Sequence, residues 1–218
     1  MPRELQSERK GPENATRAVV FLHGYGADGA DLLSLADVLG PHLPGTAFYA
    51  PDAAERSTVN PFGRQWFPIP WMDGSTEEQA RASMGEAVQD VNAFLDTVLK
   101  AEGIGADRLA VIGFSQGTMM ALHVVPRRSQ QIACVIGFSG RLLAPELLSA
   151  EAKVKPPVLL LHGDQDPVVP FTDLAKAADG LAAAGFGVST HVMRGTPHGI
   201  SQDGLQAALE FLREHLPE

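Results

Sequence analysis

The chain has 218 residues, 44% of them apolar, and a formal net charge of −9. That length and apolar share suit one domain with its own core, so the expected organisation is a mobile tail over residues 1–16 and a single domain over 17–218. The acidic balance argues against nucleic-acid and anionic-membrane partners, both of which bind through basic patches.

The N-terminal run MPRELQSERKGPENATR lacks the apolar centre of a signal peptide, and no apolar run approaches the ~20 residues that span a bilayer. The expected location is therefore cytoplasmic, with no integral membrane association. Ala18 to Leu22 (AVVFL) reads as a short buried strand. Asp28 to Leu39 places Leu32, Leu33, Ala36 and Leu39 at helical spacing, and Gly40-Pro41 ends that pattern. Thr46 to Ala50 is a second strand. Pro51 to Gly74 has neither periodicity, yet it holds both tryptophans, Trp66 and Trp71, with Phe62 and Phe67. A segment so rich in aromatics is not a disordered one, and it is expected to be an ordered loop packed over something.

Ser75 and Glu78 have the spacing of a capping box at the start of the longest helix, whose face carries Ala87, Val88, Val91, Leu95 and Val98. Strands follow at Leu109 to Phe114, Ile132 to Phe138, Val158 to Leu161 and Val188 to Met193. Helices fill the gaps after Ser115, from Thr172 to Ala184, and after Ser201. The single cysteine, Cys134, excludes an internal disulfide and reads as a small buried hydrophobe. Strand and helix alternate to the end, so the expected fold is α/β, a mostly parallel sheet covered by helices on both faces.

In such a sheet, ligands bind beyond the carboxyl ends of the strands. The residues there are His23-Gly24-Tyr25-Gly26, Gly113-Phe114-Ser115-Gln116-Gly117, His162-Gly163-Asp164-Gln165-Asp166 and Thr196-Pro197-His198-Gly199. A serine hydroxyl attacks poorly unless a base takes its proton, and it must project from a sharp turn whose neighbours are small. Ser115 between two glycines, with strand before and helix after, meets that need. His198 is the candidate base, since an imidazole titrates near neutrality. Asp164 and Asp166 both follow one strand, and spacing does not choose between them as the group that orients the histidine. The backbone N–H groups of Gln116 and Tyr25 are the candidate donors to an oxyanion. His23 reads as a residue that fixes its loop. His162, Asp164, Asp166 and His198 lack the spacing of a zinc site, and the glycines at 24, 26 and 29 do not form a phosphate loop. No metal and no cofactor is expected.

VVFLHGYGADGADL, GFSQG, LLLHGDQDPVVP and TPHGIS together resemble the phospholipase/carboxylesterase family of α/β-hydrolases, which includes acyl-protein thioesterases. The likeness runs from about Ala18 to Leu212. It implies a Ser115, Asp166, His198 triad, oxyanion donors at Tyr25 and Gln116, and hydrolysis of short- to medium-chain carboxylic esters; the chain has no large insertion that would make a lid domain. Family members also act on lysophospholipids or S-acylated proteins, and dimers are common among them. The thioesterases carry Trp-Leu-Pro where this chain has Ser139-Gly140-Arg141-Leu142, which weighs against protein deacylation. The longer loop through Trp66 and Trp71 is similar to that of bacterial esterases. Phe62, Trp66, Trp71, Leu142 and Leu143 are expected to wall an apolar acyl slot. The rival readings are a thioesterase or lysophospholipase on the same residues and a binding protein without turnover.

Overall fold

The computed structural model describes residues 1–217. In chain order the elements are β1 (Ser7–Lys10), β2 (Arg17–Leu22), α1 (Gly29–Leu33), α2 (Leu35–Leu39), β3 (Thr46–Pro51), β4 (Glu55–Arg56), β5 (Arg64–Gln65), α3 (Pro70–Asp73), α4 (Glu77–Glu102), β6 (Leu109–Phe114), α5 (Gln116–Val124), β7 (Cys134–Phe138), α6 (Pro145–Glu151), β8 (Val158–Gly163), α7 (Thr172–Ala183), β9 (Val188–Met193) and α8 (Gln202–His215). Seven strands form one sheet in the order β1-β3-β2-β6-β7-β8-β9, and β4 pairs with β5 in a separate small ribbon. Every neighbouring pair in the large sheet is parallel except β1 with β3.

The central strands are apolar along their whole length because both faces are covered, and the two-residue alternation of a strand divides their side chains between two cores. From β2, Ala18, Val20 and Leu22 join one core; Val19 and Phe21 join the other. The first core takes side chains from α4, α5, α6 and α7, and the second from α1, α2 and α8. Among the described residues no inserted domain lies over the strand ends, and no helix is long and apolar enough to cross a membrane.

Three expectations are corrected. Residues 1–16 do not form a mobile tail: Ser7–Lys10 pairs antiparallel with β3, from Ser7 opposite Pro51 to Lys10 opposite Phe48. The run is anchored by charge, with Arg3 on Asp90 (Nε to Oδ2 2.8 Å) and Arg9 on Glu102 (Nε to Oε1 2.8 Å), and Leu5 is buried. The capping box of α4 sits one residue later than expected. Thr76 accepts from Gln79 N, the Gln79 side chain returns to Thr76 N, and the N–H of Ser75 is held by Asp73 instead. The segment Pro51 to Gly74 is ordered as expected, but it contains the β4–β5 ribbon and α3.

Candidate active site

Ser115 sits where β6 turns into α5, with φ 54° and ψ −115°. A non-glycine residue at positive φ is strained and is held only where its surroundings over-determine it. Here the N–H of Ser115 donates to Phe138 O of the next strand (2.8 Å), and its carbonyl accepts from Met119 N (3.2 Å). The two glycines of the turn are there for different reasons. A Cβ on Gly113 would lie 2.4 Å from Thr118 N, inside the turn itself, whereas a Cβ on Gly117 would lie 1.8 Å from Leu22 O, where α5 crosses the end of β2.

Asp166 and His198 come together on the neighbouring strand ends. His198 Nδ1 is 2.7 Å from Asp166 Oδ2, and the aspartate's other oxygen accepts N–H groups from Val168 (2.8 Å) and Val169 (2.9 Å). Burial alone would raise the Asp166 pKa, but these hydrogen bonds outweigh it and hold the carboxyl below the usual range. The ionised carboxylate then accepts Nδ1–H and leaves Nε2 of the neutral ring as an acceptor. The imidazole rests on the Phe114 ring, the residue before Ser115, with centroids 4.9 Å apart. Asp164 does different work: its Oδ1 accepts Gly195 N at 2.7 Å and so fixes the turn that leads to His198.

His23 fixes its loop, as its position suggested. Its Nδ1 lies 2.8 Å from Gly24 O and its Nε2 accepts Ala53 N at 3.0 Å. Burial lowers its pKa and favours the neutral ring. Tyr25 follows, with its hydroxyl on Asp73 and Thr58. Gln116 is the first residue of α5, so its main-chain N–H has no partner within the helix. Its side chain joins the aromatic loop, accepting Trp66 N (2.9 Å) and donating to Phe67 O (2.7 Å).

Two hollows flank this loop. The larger, about 740 Å³, is an open groove along α4 with Glu55, Arg56, Asp73 and Glu86 among its lining residues. The smaller, about 500 Å³, is apolar and borders α5, with Phe67, Ile69, Trp71, Met119, Arg141 and Leu143 on its walls. Of the five residues expected to wall an acyl slot, Trp71 and Leu143 line this cavity. Phe62 stands in solvent at 88% exposure. Trp66 is only 1% exposed and turns inward, its Nε1 donating to His23 O at 2.9 Å. Leu142 packs toward α7, where a Cβ on Gly180 would meet it at 2.8 Å.

A model of the phospholipase/carboxylesterase family matches residues 7–216. The chain belongs to the phospholipase/carboxylesterase family. It is a carboxylic ester hydrolase with the α/β-hydrolase fold. Its sequence is 31% identical over 208 residues to Esterase YpfH of Escherichia coli K12, covering 94% of this chain and 85% of that protein. It is 30% identical over 217 residues to acyl-protein thioesterase 1 of Neurospora crassa, covering 93% and 88%. Among solved structures, esterase PE8 is similar with 40% identity and a TM-score of 0.91, covering 98% of this chain and all of that one. A phospholipase/carboxylesterase from Dyadobacter fermentans aligns with 30% identity and a TM-score of 0.76, covering 96% and 97%.

In this family member, the sequence weighs His162 only as a metal ligand and passes over Asp73 and Met119, three residues beside the site. His162 Nε2 lies 3.0 Å from Val169 O and 3.4 Å from Asp166 Oδ2, a second contact on the buried carboxylate. Its position two residues before Asp164 was the available signal. Asp73 reaches Tyr25, and Met119 lines the apolar cavity one helical turn after Ser115. The i+4 spacing from the serine marks Met119 in the sequence; nothing local marks Asp73.

Proposed function

We propose that this esterase cleaves short- to medium-chain carboxylic esters through an acyl-enzyme on Ser115. His198 Nε2 takes the Ser115 hydroxyl proton as Oγ bonds to the acyl carbon. The carbonyl oxygen becomes an oxyanion, met by the N–H groups of Tyr25 and Gln116. The imidazolium then protonates the departing alkoxide as the C–O bond breaks. Water, deprotonated by His198, attacks the acyl-enzyme; Ser115 leaves with the proton and the carboxylic acid is released. The observation that carries this reading is the 2.7 Å contact of His198 Nδ1 with an Asp166 held by two main-chain N–H groups. That contact orients the ring and fixes its tautomer.

The acyl chain takes the apolar cavity bounded by Phe67, Ile69, Trp71, Met119 and Leu143. Ser115→Ala removes turnover of p-nitrophenyl butyrate and labelling by a fluorophosphonate probe, with the fold retained by circular dichroism. Turnover at the wild-type rate in that variant refutes the proposal. The identity to an acyl-protein thioesterase supports a second reading on the same residues. Comparing kcat/KM for butyryl, octanoyl and dodecanoyl esters with the matching thioesters and lysophospholipids separates the two.

A further inference from the structure

Tyr25 is flanked by Gly24 and Gly26, so the peptide planes on either side of it turn easily. On its C-terminal side the main chain is held: Gly26 N donates to Arg64 O (2.8 Å), and Asn60 Nδ2 donates to Gly26 O (2.8 Å). On its N-terminal side Gly24 O meets His23 Nδ1 (2.8 Å) and Ala27 N (3.3 Å), and Tyr25 is held further through its side chain. Its hydroxyl donates to Asp73 Oδ2 at 3.1 Å and lies 3.2 Å from Thr58 Oγ1. Asp73 is the last residue of α3, 48 positions away in sequence. The same Oδ2 accepts Ile69 N (2.7 Å), and Oδ1 accepts Ser75 N (2.9 Å). One carboxylate thus ties both ends of α3 and the phenol of Tyr25.

We propose that Asp73 is a positioning residue for the oxyanion hole: by holding the Tyr25 phenol it anchors the Tyr25 Cα, and so places the end of the Gly24–Tyr25 peptide that carries the Tyr25 N–H. This rests on the reading of Tyr25 as an oxyanion donor. A rigid ring pinned at the hydroxyl end restrains where Tyr25 Cβ and Cα stand, while the contacts of Gly24 O with His23 Nδ1 and Ala27 N set the rotation of the plane about that anchor. Burial opposes ionisation of Asp73, but its hydrogen bonds prevail and lower its pKa, so the anchor is a carboxylate at neutral pH. Aim matters most where negative charge develops. A misdirected N–H therefore weakens the tetrahedral state and leaves ground-state binding alone.

The test uses Tyr25→Phe, Asp73→Ala and the double variant, with p-nitrophenyl acetate as substrate and butylboronic acid as an inhibitor that forms a tetrahedral adduct. The expected result for each single variant is a fall in kcat of about tenfold, less than the 10²–10³ of a deleted donor, with KM unchanged. Boronic acid affinity falls by the same factor, and the double variant is no worse than Asp73→Ala, because both changes cut one tether. Asp73→Ala also unpins α3. If it fails to fold, Tyr25→Phe decides alone, since it leaves Asp73 on Ile69 and Ser75. Wild-type kcat in Tyr25→Phe, a loss carried by KM, or losses that multiply in the double variant would each overturn the inference. Ser115→Ala is assayed alongside. Turnover there defeats the esterase mechanism itself, whereas an inactive Ser115→Ala beside a fully active Tyr25→Phe defeats only the role of Asp73.

Discussion

The indole N–H of Trp66 spans 2.9 Å to the carbonyl oxygen of His23, a residue 43 positions earlier. The bond clips the aromatic loop to the segment that carries Tyr25, and the Trp66 ring lies against His23, with centroids 5.1 Å apart. Trp66→Phe keeps much of the apolar volume but strands a buried carbonyl. The expected cost is about 2–3 kcal/mol in urea denaturation, with a fall in kcat of about tenfold as the loop proposed to hold the oxyanion loosens. A stability loss with unchanged kcat would separate the clip from catalysis.

Gly117→Ala places a methyl group 1.8 Å from Leu22 O, a main-chain atom of a central strand that cannot step aside. Overpacking of this kind costs about 3 kcal/mol or more, so the variant melts earlier and turns over little ester. Gly187→Ala, with nothing near its added Cβ, is the control and stays close to wild type by both measures.

Asp166→Asn and Asp164→Asn distinguish the two acids. The first disturbs the tautomer of His198 and lowers kcat on the order of 10⁴-fold, as in serine proteases; the second loosens a turn and costs far less. The depressed Asp166 pKa also sets an acid limit. Its contribution to stability is complete above the unfolded carboxyl pKa of ~4 and is lost as pH falls through the lower folded value. Denaturation of wild type and Asp166→Asn, followed below about pH 4, shows whether the difference shrinks as this sign requires.

His123, on the wall of the apolar cavity, has its pKa lowered to about 4, first by burial and then by Arg127, with Glu151 opposing. The folded state therefore prefers the neutral ring, while the unfolded chain takes a proton at ~6.5. Stability is complete above ~6.5 and declines as pH falls towards about 4, by roughly 1–2 kcal/mol once the ring's partial exposure is allowed for. His123→Gln should flatten that part of a plot of urea midpoint against pH. An unchanged slope would assign it to other groups.

Deleting residues 1–10 removes β1 and leaves Asp90, whose side chain is 3% exposed, without Arg3. A buried carboxylate stripped of its partner costs about 3–5 kcal/mol, so the melting temperature should drop by roughly 10 °C. The strand lies at the far edge of the sheet from β8 and β9, so kcat for p-nitrophenyl butyrate should hold at temperatures where the protein stays folded. Equal melting temperatures would show that the pairing adds nothing.

The strands legible in the sequence are those whose cause is local. The runs at Val19, Val111 and Leu160 are apolar because helices cover both sheet faces. SERK has no such pattern; it becomes a strand through main-chain pairing with β3 and through the ion pair of Arg9 with Glu102, 93 residues away in sequence. Ser75 and Thr76 each begin a plausible capping box, and only the capture of Ser75 N by Asp73 decides between them. The proposed triad residues are legible as types at strand ends, but Asp166 and Asp164 are told apart only by their partners: Val168 N, Val169 N and His198 for the first, Gly195 N for the second. Trp66 and Trp71 read alike as aromatics. One turns into the core and the other remains 75% exposed at the rim of the cavity, because only Trp66 has the carbonyl of His23 as a partner.

The outermost strand bears on how copies of the protein behave in concentrated solution. Beneath it lies β3, TAFYAP, whose unpaired edge would be an apolar template for another chain. β1 caps that template and presents Glu8, Arg9 and Lys10 in its place. A neighbour docking there by strand addition would have to strip water from Glu8 and disturb the ion pairs of Arg9 with Glu102 and Lys10 with Asp37, so this border disfavours growth of the sheet.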